Sequence, residues 1–202
     1  MKKRVVAFTA LVIAATGAAA AAFALGIDPP VANVAGAYGA ILAAMIAAKI
    51  FNVSDGLYYT GLIFVFFASP MGSVLNLYRS FGPYDKIVHF FSGILLAALG
   101  MMIILYLFRI FGGTDEKLPG KLFVPAVCFA FFFSSAGAGI WEIFEFTADR
   151  LAGGGMQRGM VDTVTDIIAG NVGALAYGAV CLIKGFRKTR RGEDTAVSRE
   201  AE

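Results

Sequence analysis

The chain reads as an all-α, polytopic transmembrane helix bundle of about six spanning helices, with both termini cytoplasmic. Three observations lead there. Of the 202 residues, 58% are hydrophobic and only 15% charged, against about 45–50% and about 25% in soluble domains. Mean hydropathy is +0.75. Apolar runs reaching the ~18 residues needed to cross a bilayer recur along the chain, separated by short polar breaks.

The elements follow in order. A first helix at about 5–25 follows the basic start Met1-Lys2-Lys3-Arg4. A basic start before an alanine-rich run also fits a secretory signal, but the run is long for one, so an uncleaved helix is expected. Gly26-Ile27-Asp28-Pro29-Pro30 breaks it. The second helix, about 31–51, carries Gly36, Gly39 and many alanines, which let helices approach closely. Asn52-Val53-Ser54-Asp55 closes the turn and should cap the third, about 56–77, which Pro70 and Gly72 should kink or end early. A polar connection from Asn76 to Pro83 leads to the fourth helix, about 85–111, with Asp85 at its dipole-favoured start. A loop at 112–117 precedes the fifth, about 122–146. A glycine-rich loop at 151–160 precedes the sixth, about 161–185. Residues 1–185 form one bundle. The charged tail 186–202 lacks an apolar pattern and is expected to be disordered and cytoplasmic.

Charge placement sets the topology. Of 17 Lys and Arg residues, only Arg79, Lys86, Arg150 and Arg158 fall on the side opposite the termini, leaving 13 with the termini. The positive-inside rule then puts both ends in the cytoplasm, and loss of the first helix would not change the orientation of the rest. A net charge of +3 is no nucleic-acid footprint; the expected partner is the lipid bilayer. Cys128 and Cys181 sit in apolar runs without metal-ligand spacing and read as core or lipid-facing residues.

Topology and position together bring six ionisable groups to one depth at the outer interface: Asp85 and His89 on the fourth helix, Glu142 and Glu145 on the fifth, Asp162 and Asp166 on the sixth. Asp85, His89 and Ser92 share one helix face, as do Glu142, Glu145 and Asp149, and Asp162 with Asp166. Ionisable groups inside a membrane are costly and need a function or a partner. Five carboxylates and one imidazole also need compensation: protonation, a bound cation, or Lys86, Arg150 or Arg158. A divalent cation answers simply, as Mg²⁺, Mn²⁺ or Ca²⁺ suit oxygen-rich sets and Zn²⁺ accepts carboxylates with His. Glu145, Asp162, Asp166 and His89 are the expected ligands. His89, Asp85 and Glu142 are the expected catalytic groups, with metal-activated water a better nucleophile than Ser92. Plainer readings stand beside these: Asp85 as a helix cap, His89 as an interfacial polar residue, Asp149 paired with Arg150 or Arg158 in the aqueous loop, Asn171 bonded to a neighbouring helix, Tyr84 and Trp141 in the aromatic belt. Gly170, Gly173 and Gly178 read as helix-packing glycines.

The string Tyr84-Asp85-Lys86-Ile87-Val88-His89-Phe90-Phe91-Ser92-Gly93, the run Trp141-Glu142-Ile143-Phe144-Glu145-Phe146, and Asp162-Thr163-Val164-Thr165-Asp166 with Gly170-Asn171-Val172-Gly173-Ala174 resemble the YjdF-like family of predicted bacterial membrane proteins. More distantly they are similar to the VanZ-like family, associated with low-level teicoplanin resistance. The likeness covers about residues 84–178. It implies that the six ionisable residues belong to the family pattern and that the protein is a multi-pass protein of the bacterial cytoplasmic (inner) membrane; it implies no reaction. The functional expectation is a metal-dependent membrane hydrolase or transferase acting on a lipid-linked or cell-envelope substrate. The alternatives are an ion or lipid transporter, disfavoured by the lack of a repeated half, and a structural envelope partner.

With the native cysteines replaced, a Gly82→Cys variant should react with a membrane-impermeant maleimide added to intact cells. Labelling only after the cells are opened would invert the topology.

Overall fold

The computed structural model describes residues 2–111, 120–153 and 155–200, with side chains for all of these except 152 and 186–200. The loop expected at 112–117 and Gly154 lie outside the described residues. Among the described residues the secondary structure is helical: α1 Lys2–Ala24, α2 Val31–Ile50, α3 Asp55–Phe66 running into a π-helix at Phe67–Val74, α4 Leu77–Ser80, α5 Tyr84–Phe111, α6 Gly120–Ala152 and α7 Met160–Glu200. Six segments are long and apolar enough to cross a membrane: α1, α2, α3 with its π extension, α5, α6 and α7 as far as Gly185.

The boundaries have local causes. Gly26 takes φ +70° after α1. The N–H of Ile27 reaches back to Ala22 O at 2.9 Å and that of Gly26 to Phe23 O at 3.1 Å, a Schellman closure of the orphan carbonyls. Asn52 repeats the device after α2 at φ +46°. Ser54 caps α3 as expected, its Oγ accepting from Leu57 N–H at 3.3 Å. α3 ends early at Phe66, ahead of Pro70, and the chain continues as the π-helix. Proline has no N–H for the ladder, and the wider turn absorbs the defect. The Phe67 carbonyl instead accepts from the Tyr84 hydroxyl at 2.6 Å. Tyr84 is thus a buried anchor, where the sequence placed it in the aromatic belt. Gly153, at φ +65°, ends α6 beyond the expected boundary at 146. Helical backbone also continues from 186 to 200, where the tail was expected to lack regular structure; Arg, Lys, Glu and Ala are good helix formers.

The helices form two groups. In the first, α1–α3 pack Leu11, Ala15, Ile41, Tyr58 and Leu62 together. Arg4 at the start of α1 donates to Asp55 at the start of α3 at 2.6 Å, and its guanidinium lies over the Tyr58 ring. At the other end Asn33 of α2 donates to Ser73 O at 3.1 Å.

The second group is α5, α6 and α7, each packed on the other two. Lipid supplies no hydrophobic drive between helices, so close van der Waals packing must hold them. The glycines allow it. A Cβ on Gly93 would overlap the Gly170 carbonyl oxygen, and one on Gly173 would overlap the Phe90 carbonyl oxygen. The α5 and α7 backbones therefore touch. Ser134 of α6 donates to Gly93 O at 2.9 Å in the buried seam. Gly178 packs near Val127, as its packing role required. Because successive spans alternate, the starts of α5 and α7 and the end of α6 meet at one end of the bundle.

Gly173→Leu puts a side chain where backbone cannot yield, so it should cost at least ~3 kcal/mol, read as a loss of detergent-solubilised thermal stability. Gly61→Ala, where a Cβ meets nothing within 4 Å, should be near neutral. Equal stability of the two variants would refute the close α5–α7 contact.

Candidate functional site

The α5–α7 seam carries charge at its end. Lys86, in the first turn of α5, donates to Asp162 Oδ1 and Asp166 Oδ1 of α7, both at 2.7 Å. It also lies 3.4 Å from Asp85 Oδ2. Arg158, just before α7, pairs its guanidinium with Asp85 Oδ2, lies 3.3 Å from Asp162 Oδ2 and donates to the Tyr78 carbonyl at 3.1 Å. Three aspartates are therefore held by two cations.

His89 stands one turn below. Its Nε2 lies 3.6 Å from Asp85 Oδ1, 3.7 Å from Asp166 Oδ1 and 4.0 Å from Glu142 Oε1. All four residues are buried, Asp166 to 1% exposure and Glu142 to 5%. Glu142 Oε1 has no hydrogen-bond partner, an expensive state for a buried polar atom. One donor atom each from Asp85, His89 and Asp166 lie within 4.8 Å of one another, the only such group of metal-ligating side chains among the described residues.

The six groups expected at one depth thus do converge on one end of the bundle, and their roles divide. Of the four expected ligands, His89 and Asp166 stand together, joined by Asp85. Asp162 is engaged by Lys86 and Arg158. Glu145 accepts from the Trp141 indole N–H at 2.8 Å. Ser92 donates to the His89 carbonyl at 2.7 Å and not to the imidazole, so there is no Ser–His nucleophile pair.

Other expectations are corrected. Asp149 pairs with neither arginine. It accepts the backbone N–H groups of Gly155, Met156 and Gln157 at 3.0, 3.2 and 2.8 Å, pinning the loop that delivers Arg158. Arg150 lies over the Phe146 ring, away from the carboxylates. Asn171 Oδ1 is buried without a partner, where a bond to a neighbouring helix was expected. Tyr78, in the connection before α5, joins the site without any motif to announce it. Burial first, then the Asp85 carboxylate, push its hydroxyl well above the ordinary value, so it remains a neutral phenol. Its polar stretch Asn76–Pro83 was the available signal.

Next to this cluster lies a cavity of about 470 Å³ between α2, α3, α5 and α6. Asp85, His89 and Glu145 line it at one end, together with Tyr78 and Trp141. Lys86, Arg158 and Asp166 do not line it.

Comparison with known proteins gives three findings. The family described as "Predicted membrane protein (DUF2238)" matches residues 4–186. A Thermotoga maritima protein described as "Uncharacterized protein" is 33% identical over 105 residues, 52% of this chain and 50% of that one; the chain therefore spans about half the length of this relative. No solved structure matches.

Lys86→Met removes the ammonium between two aspartates. Breaking a buried pair costs about 3–5 kcal/mol, and the lower figure applies here because Lys86 is 34% exposed. Adding Asp162→Asn and Asp166→Asn should restore much of the stability in thermal unfolding. No rescue would show that Lys86 acts elsewhere.

Proposed function

The chain belongs to that family of predicted membrane proteins, and from that premise we propose that it holds a divalent cation between Asp85, His89 and Asp166, at the outer leaflet of a bacterial cytoplasmic membrane, and acts there on a lipid-linked or envelope substrate. The YjdF-like resemblance is kept as the finer placement within the family; none of the comparisons supports the VanZ-like one.

The observation that carries the reading is the orphaned Glu142 Oε1, buried and 4.0 Å from His89 Nε2. Alone, a group of carboxylates is no site. A buried acceptor without a donor, turned toward three clustered ligand atoms, leaves room for a charge not supplied by the protein. Two carboxylate oxygens and one imidazole suit Mg²⁺, Mn²⁺ or Zn²⁺. Such an ion would activate a water molecule. Glu142, whose Oε1 has no donor, is then placed to accept the proton. Both termini then lie in the cytoplasm, as the charge distribution requires.

A second reading has its own observation. Lys86 at 2.7 Å from both Asp162 and Asp166 already neutralises part of the cluster, which could serve only to lock α5 to α7.

Metal analysis separates the two. Protein purified without chelator, or stripped and titrated with Mn²⁺ and Zn²⁺, should hold about one ion per chain. His89→Ala and Asp166→Asn should each weaken binding by more than the ~10–100-fold seen for outer-shell changes. No bound ion in the native protein would sink the cation and leave the ion-pair lock.

A further inference from the structure

We propose that the cavity beside the cluster is a binding chamber for one hydrocarbon chain of a membrane amphiphile, whose head meets Asp85, His89 and Glu145. This names a substrate class for the site above and rests on that reading.

The shape supports a chain. Along α5 the wall runs from Asp85 to Leu99, about 21 Å at 1.5 Å per residue. Spread over that length, about 470 Å³ gives a cross-section of about 22 Å², roughly 5 Å across. Carbon atoms pack at about 3.5–4 Å, so one extended chain can lie along that path. The far walls are apolar, with Ala44, Ala48, Leu62, Val65 and Leu96. Apolar cavities of this kind stay dry and take apolar guests.

The position supports a membrane source. Among the described elements, α6 packs on α5 and α7 and on neither α2 nor α3, although all four line the chamber. The space between α6 and α3 is therefore a side opening toward lipid. Trp141 stands at this edge, 47% exposed, while lining the chamber.

The polar end selects the head. The charged groups lining it are Asp85, Glu145 and His89; Arg158 pairs with Asp85 from behind and Lys86 with Asp166, and neither cation lines it, so Glu145 is the lining carboxylate without a cation. Such an end favours hydroxyl or ammonium donors over a bare carboxylate.

Trp141 is the sole tryptophan and so reports on the chamber. The protein in non-brominated lipid nanodiscs is titrated with a lysophosphatidylethanolamine whose chain is brominated near the head. Saturable quenching of Trp141 is expected, with an affinity at least tenfold tighter than that of a fatty acid brominated at the same place. Gly61 lines the chamber, and a Cβ there meets nothing within 4 Å. Gly61→Phe and Ala47→Phe should therefore each block the chamber, abolishing saturation while leaving thermal stability and metal content unchanged. Linear quenching in the native protein, or saturation kept in both blocked variants, would overturn the proposal. Metal content is read in the same samples. Saturable quenching without bound metal would refute the cation and leave the chamber, and metal without saturable quenching would do the reverse.

Discussion

Everything at the polar end depends on the α5–α7 contact. Gly93 and Gly173 remove the side chains that would hold the two helices apart. Only at that distance does Lys86 reach Asp162 and Asp166 together, both at 2.7 Å. The packing and the charges are therefore one design. The glycines bring backbones together by dispersion, and the helix starts then share a low-dielectric space in which opposite charges attract strongly and unpaired ones are costly.

α6 completes the arrangement differently. Ser134 anchors it to the seam, and its last turns bring Glu142 and Glu145 to the same level. Neither glutamate meets Lys86 or Arg158 at salt-bridge distance. The cluster thus has a compensated half, three aspartates with two cations, and an uncompensated half around His89 and Glu142. His89 lines the cavity together with Glu145 and Asp85; Glu142 does not. Helix pairing alone accounts for the first half; the second half is what the proposed site is built on.

Much of this was legible in the sequence. Apolar runs mark the six spans because no other pattern hides backbone polar groups from lipid. The common depth of the six ionisable groups follows from the alternation of spans, and Gly170, Gly173 and Gly178 are recognisable as small residues on one helix. What was not legible depends on contacts between helices. The π-helix around Pro70 begins at Phe67, whose carbonyl accepts from Tyr84, distant in sequence. Asp149 turned to backbone N–H groups because the glycine loop folds back over it. The division of the aspartates between Lys86 and Arg158 arises only once α5 and α7 pack together, and the cavity only once α5 also meets α3.

The central claim is that Asp85, His89 and Asp166 form one cation site. Pulsed electron paramagnetic resonance of the Mn²⁺-loaded protein tests it most directly, because an imidazole ligand couples its nitrogen to the metal electron spin and a carboxylate does not. The protein has one histidine, so the assignment is unambiguous. A nitrogen coupling that disappears in His89→Ala is the expected result. Bound Mn²⁺ whose spectrum lacks that coupling, or is unchanged in His89→Ala, would contradict the claim.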